Sequence, residues 1–182
     1  MAARWAWGSA VAGGGAARRS KFLGQVSHYL IRYATWIPPL IWFNEYVAQV
    51  TSIHGPSMYP FFNSQYNESL RQDLCLVWKM YAQEGLRRGM VVTFRTTVKR
   101  ILGLPGDVVK TKPPYPYEHV VVPEGHIWVE GDGDKSLDSN HYGPISARLV
   151  TGRVTHILSP WERAGRVRWW EHPLRAGVHR AA

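Results

Sequence analysis

The apolar positions divide the chain into three stretches of different character. Residues 1–24 are built mainly of Ala, Gly and Arg and show no sustained period. Residues 25–53 become strongly apolar from Tyr33 to Ile53, through Trp36, Ile37, Leu40, Ile41, Trp42, Phe43, Tyr46, Val47 and Val50. A helix over that run would reach about 30 Å, the thickness of bilayer hydrocarbon, and is the predicted membrane-anchor segment. Pro38-Pro39 remove backbone donors, and Asn44-Glu45 would be costly at mid-bilayer, so a buried or interfacial helix is the competing expectation. If the run spans, the basic residues ahead of it stay behind and the body crosses.

From residue 54 the pattern changes to short β-like runs separated by Gly and Pro. The predicted strands are Leu74–Trp78, Met90–Phe94, Val98–Leu102, Val108–Thr111, His119–Val122, His126–Glu130 and Arg153–Leu158. Neither a long helical period nor an internal repeat follows the anchor. The expected fold class is mainly β, a domain over residues 54–160 with one N-terminal membrane-anchoring helix and a basic C-terminal tail at 161–182.

Composition narrows the classes. Apolar residues make up 45% of the chain and charged residues 19%, which excludes a fully disordered protein. One cysteine, Cys75, excludes an internal disulfide and a multi-cysteine zinc site. The net charge of +9 comes largely from the ends, because no acid precedes Glu45 and five arginines follow Glu162. A nucleic-acid reader carries its basic stripe on the folded body, so no nucleic-acid partner is expected. The acid-free N-terminus fits a targeting segment or a disordered tail, and Gly13-Gly-Gly15 replaces the apolar core of a secretory signal.

Three places carry candidate chemistry. Ser57 lies in His54-Gly-Pro-Ser-Met-Tyr-Pro60, a tight turn able to present a hydroxyl and a backbone N–H to a cleft. Lys99 and Arg100 follow one another in a predicted strand and so face opposite ways, which predicts one buried and the other solvated. A buried lysine loses several pKa units and can act as a base. The loop Gly131–Pro144 carries Asp132, Asp134 and Asp138 but lacks the glutamate that closes a calcium loop, so no metal and no cofactor are expected. The eight histidines have no ligand spacing and no Gly-x-Ser-x-Gly elbow beside them. A plain turn serine and an exposed edge lysine remain the alternatives at positions 57 and 99.

In order, the motifs Gly-Pro-Ser57-Met-Tyr-Pro, Gly89-Met-Val-Val-Thr-Phe, Lys99-Arg-Ile-Leu-Gly-Leu-Pro-Gly-Asp, Val122-Pro-Glu-Gly-His-Ile-Trp-Val-Glu-Gly-Asp and Ser136-Leu-Asp-Ser-Asn-His-Tyr-Gly-Pro follow the anchor. Together they resemble type I signal peptidases over roughly residues 33–160, and most of all the mitochondrial members. That resemblance implies a signal-peptidase-like β domain and a Ser/Lys serine protease. Ser57 would be the nucleophile, Lys99 the general base, Ser136 a serine bonded to the lysine, and Asp138 an acid supporting the loop. It further implies precursor proteins with intermembrane-space sorting signals as substrates, inner membrane lipid as surroundings, and a heterodimer with a homologous subunit. The expected location is the mitochondrial inner membrane, with the catalytic domain facing the intermembrane space.

This sequence has Gly55 where bacterial members carry a hydroxyl residue, and only Arg-Thr-Thr-Val between Phe94 and Lys99. That short link demands a tight hairpin if Lys99 is to reach Ser57. Two function classes therefore stand open: an active Ser/Lys endopeptidase, and a catalytically silent membrane-anchored subunit supporting an active homologous one.

Overall fold

The computed structural model describes residues 25–65, 71–94, 96–171 and 178–180. The targeting or tail readings of residues 1–24 lie outside the described residues. The chain divides into two compact units, Met1–Trp42 and Phe43–Ala182.

In place of one long apolar helix there are two short ones, α1 at residues 25–34 and α2 at Ile37–Tyr46, separated by a turn. Pro38 and Pro39 fall in the first turn of α2, where a missing N–H costs no helical hydrogen bond. Ten residues of helix reach only about 15 Å. Among the described residues no helix is long and apolar enough to cross a membrane. The single helix expected over Tyr33–Ile53 is corrected at its far end as well, because Ala48–Ser52 is strand β1, paired antiparallel with β2.

The second unit is mainly β, as expected. Its strands are β2 Leu74–Trp78, β3 Val91–Phe94, β4 Thr97–Gly103, β5 Asp107–Lys110, β6 His119–Val121, β7 His126–Glu130, β8 Ile145–Ser146, β9 Val150–Ser159, β10 Gly165–Arg166 and β11 Val178–Arg180. An antiparallel sheet runs β1-β2-β9-β3-β4-β7-β8, with β10 on β9, and a smaller one runs β11-β5-β6. Strands thus occur inside the stretch read as a basic tail: β10 pairs Arg166 with His156, and β11 pairs Val178 with Val109.

The long strand β9 lies between β2 and β3 and pairs with both, which brings the start and the middle of the domain into one sheet. Ile53, Met58, Phe62, Cys75, Val77 and Val154 form one core cluster. Val92, Ile101, Ile127, Val129 and Val150 form a second, and Leu102, Val109, Val122 and Trp128 fill a third. Residues Lys99 to Gly103 of β4 are all buried, so this strand is covered on both faces.

Candidate active site

After β1 the chain turns through His54–Pro60 and presents Ser57 half-buried. Gly55 has φ +81°, a left-handed conformation that side chains other than glycine seldom adopt, which accounts for glycine there. Met58 and Phe62 insert into the core beneath the turn, exposed by 1% and 0%. Met58 thus belongs to the core rather than to a cleft beside the serine.

The base of the turn is stapled by two residues that sequence reasoning missed. The Asn63 N–H donates to Asp73 Oδ2 at 2.9 Å, and the Asp73 N–H donates to Asn63 Oδ1 at 2.8 Å. Asn63 Nδ2 donates to the carbonyls of Ile53 at 2.8 Å and Gly55 at 3.2 Å, on either side of His54. Arg163 Nη1 donates to Asp73 at 2.7 Å. The available signal was Asn63 itself, since asparagine is a residue that tolerates its φ of +53°.

Lys99 lies on β4 opposite Val92 of β3. The short link before it is a hairpin in which Phe94 already pairs with Thr97, and the Thr97 hydroxyl donates to the Phe94 carbonyl at 3.0 Å. The expected division of Lys99 and Arg100 into one buried and one solvated residue is corrected. They are exposed by 3% and 2%, because β4 is covered on both faces. Arg100 is matched by Asp132, donating to both carboxylate oxygens at 2.8 and 2.6 Å, and its guanidinium lies 4.4 Å over the Phe61 ring.

Lys99 has no such partner: among the described residues it makes no ion pair, and its Nζ donates to Ser136 Oγ at 2.8 Å. Burial pushes its pKa below the ordinary lysine value, with the charges of Asp138 and Asp132 opposing the shift. Burial thus shifts the group in the direction of the neutral amine.

The loop leaving β7 supplies Ser136 and fits tightly against the Ser57 turn. The Gly133 N–H donates to the Ser57 carbonyl at 3.0 Å. A Cβ on Gly131 would lie 2.2 Å from that carbonyl oxygen and 2.3 Å from Ser136 Oγ, so the two atoms are close neighbours. A Cβ on Gly133 would lie 2.2 Å from the Pro56 carbonyl. Asp138 closes the loop: Oδ2 accepts from the Gly131 N–H at 3.2 Å, and Oδ1 accepts from the Asn140 N–H at 3.1 Å and Nδ2 at 3.0 Å. It thereby caps the helical turn α3, Ser139–Tyr142. With Asp132 on Arg100 and Asp138 on the backbone, the loop aspartates are engaged separately. Among the described residues no group of three His, Cys, Asp or Glu could hold a metal.

Lys99, Ser136 and the Ser57 turn are therefore contiguous, with Asp138 one loop turn away. Among the described residues no hydrogen bond joins the Ser57 hydroxyl to Lys99. His54 is engaged locally, its Nε2 3.0 Å from Ser52 Oγ. Ser57 opens on a cleft of about 540 Å³ whose walls include Gln49, Thr51, Thr93, Thr97 and Val98. Sequence reasoning also missed buried Glu130, which accepts from Trp128 Nε1 at 3.0 Å and from Lys112 at 2.7 Å. Burial raises its pKa, with the Trp128 and Asn140 hydrogen bonds opposing.

Comparison with known proteins places the chain in a family. The chain is 40% identical over 158 residues to mitochondrial inner membrane protease subunit 2 of Schizosaccharomyces pombe, covering 82% of this chain and 86% of that one. It belongs to the mitochondrial inner membrane protease subunit 2 family. The subunit 2 protein of Saccharomyces cerevisiae is 40% identical over 141 residues, covering 72% of this chain and 79% of that protein. Human mitochondrial inner membrane protease subunit 1 is 33% identical over 137 residues, covering 68% and 77%. Membership thus rests on similarity to individual members of the family. No family model matches the chain.

Proposed function

We propose that this chain is a serine endopeptidase of the mitochondrial inner membrane that removes sorting peptides from precursors by a Ser/Lys dyad. The observation that carries the reading is Lys99: buried, in no ion pair among the described residues, lowered in pKa by that burial, and bonded to Ser136 beside the Ser57 turn. Ser57 Oγ attacks the scissile carbonyl while neutral Lys99 takes its proton. The backbone N–H of Ser57 contributes to the oxyanion hole. The resulting ammonium returns the proton to the leaving amine, and water then hydrolyses the acyl ester with Lys99 again as base. Ser136 orients the amine, and Asp138 holds the loop that carries Ser136.

Several features support the setting. The protease names of relatives and their inner-membrane location agree with the exposed apolar surface of α1 and α2, where Leu30, Leu40, Ile41 and Trp42 are each more than half exposed. These helices attach the protein to the membrane, and the β domain faces the intermembrane space. Similarity to both subunit 1 and subunit 2 proteins supports a heterodimer with a homologous subunit. Small residues at the first and third positions before the cut fit an extended peptide lying along strand edges.

The silent-subunit reading draws on the missing hydrogen bond between Ser57 and Lys99. Apo dyads often tighten only around substrate, so one experiment separates the two readings. Precursor cleavage is measured with the partner subunit present, using the unmodified chain and Ser57→Ala, Lys99→Met, Lys99→Arg and Ser136→Ala. Activity should rise with pH as Lys99 deprotonates. The first three variants should lose on the order of a hundredfold to ten-thousandfold; Ser136→Ala should lose less. Arginine keeps its proton and cannot replace the base, so near-full cleavage by Lys99→Arg would refute the dyad. Equal cleavage by Ser57→Ala would establish the silent reading.

A further inference from the structure

We infer that Lys79 is a specificity-determining residue, forming a subsite in the Ser57 cleft for an acidic side chain of the bound precursor at a distance from the cut. The inference deepens the peptidase reading and rests on it for the identity of the ligand as an extended peptide.

Among the described residues lining the cleft, Lys79 alone carries a fixed charge, and no acid lines it. Around it stand neutral hydrogen-bonding groups: Gln49 and Thr51 of β1, Thr93 of β3, Thr97 of β4 and Thr151 of β9. The Lys79 N–H donates to the Val47 carbonyl at 2.8 Å, which pins its backbone beside the start of β1. Its side chain is only 16% exposed. The nearest carboxylate, Glu45, lies 3.9 Å away at the outer limit of an ion pair and is 63% exposed to solvent. A pair of that kind contributes little. The ammonium therefore stays open to an anion entering from the cleft, where neutral walls favour a carboxylate and disfavour a second cation.

The position sets the register. Ala48 pairs with Trp78 and Ser52 pairs with Leu74, so β1 runs from beside Lys79 toward the Ser57 turn. Four strand steps span about 14 Å. An extended peptide meeting both residues therefore places its acidic side chain roughly four to six residues from the bond cut at Ser57. At the end of the sheet order, β1 pairs only with β2 among the described strands, which leaves its other edge available to such a peptide.

The test uses peptides that are neutral except for one Asp or one Lys, moved position by position on both sides of the cut. Cleavage is read on the full chain with its partner subunit, and binding by fluorescence anisotropy on the Ser57→Ala form. At one position the unmodified protein should prefer Asp to Lys by about fivefold or more. That preference should shrink at high salt. Lys79→Met should abolish it and Lys79→Glu should invert it, a reversal that a purely structural role cannot produce. An unchanged Asp preference in both variants, or no position preferring Asp beyond twofold, overturns the subsite. Inversion in binding without any cleavage leaves the subsite standing and refutes the peptidase reading. Ser57-dependent cleavage without inversion does the opposite.

Discussion

Replacing Gly131 by alanine is the most direct test of how the site is assembled, because a single methyl group would touch both of its serines. The new Cβ would lie 2.2 Å from the Ser57 carbonyl oxygen, 2.3 Å from Ser136 Oγ and 2.7 Å from Ser136 Cβ. Each is far inside van der Waals contact, and the first is backbone that no rotamer change can move. The loop and the Ser57 turn must separate by roughly 1 Å or more to reach ordinary contact distance. Overpacking of this kind costs about 1–3 kcal/mol, which lowers Tm by about 3–10 °C in a domain of this size. Separation would also stretch the 2.8 Å bond from Lys99 to Ser136 and withdraw the Gly133 N–H from the Ser57 carbonyl. A misplacement of about 1 Å in a catalytic group costs on the order of a hundredfold. Precursor cleavage should therefore fall by about that factor, more than the modest loss in stability accounts for at a temperature where the variant is fully folded. Tm by calorimetry and kcat/KM at 25 °C check the two parts. A Gly131→Ala protein with unchanged Tm and cleavage within about threefold would refute the claim that this contact sets the site.

Two further outcomes follow from buried titratable groups. Lys99 has a lowered pKa in the fold, so between that value and the free value near 10.4 the unfolded chain binds more protons and stability rises with pH. Lys99→Met has nothing to titrate in that window. Its stability advantage at pH 7 should therefore narrow as the pH approaches 10 in urea unfolding, and a widening gap would contradict the assignment. Cys75 is fully buried, and burial, with Asp73 adding to it, pushes its thiol up to about 12. A thiol reagent at pH 8 should label it only as fast as the protein unfolds, whereas prompt stoichiometric labelling of the native protein would show that the strand is open.

Much of the β architecture was legible because strand ends coincide with turn residues. Leu74–Trp78 and His126–Glu130 match the observed strands at both ends, and Met90–Phe94 differs by one residue. The misreadings have specific causes. Ala48–Ser52 continues an apolar run, and over so few residues periodicity does not separate strand from helix. Its register with Leu74–Trp78 decides the matter. Val178–Arg180 lies in basic sequence and is a strand because β5 offers it an edge.

For the site, local sequence determined which chemical groups exist and in what order they occur. The rigid Ser57 turn, a lysine and an arginine on opposite faces of one strand, and a glycine-rich polar loop can all be read from neighbouring residues. Tertiary structure decided their states, because burial and pairing belong to residues brought together from distant parts of the chain. Lys99 meets Ser136 across 37 positions, and Arg100 meets Asp132 across 32. Both side chains are buried because β4 is covered on both faces, yet only one has a carboxylate beside it. Alternation along the strand separates the two residues; the loop folded against them gives the arginine a carboxylate partner, whereas burial lowers the pKa of the lysine.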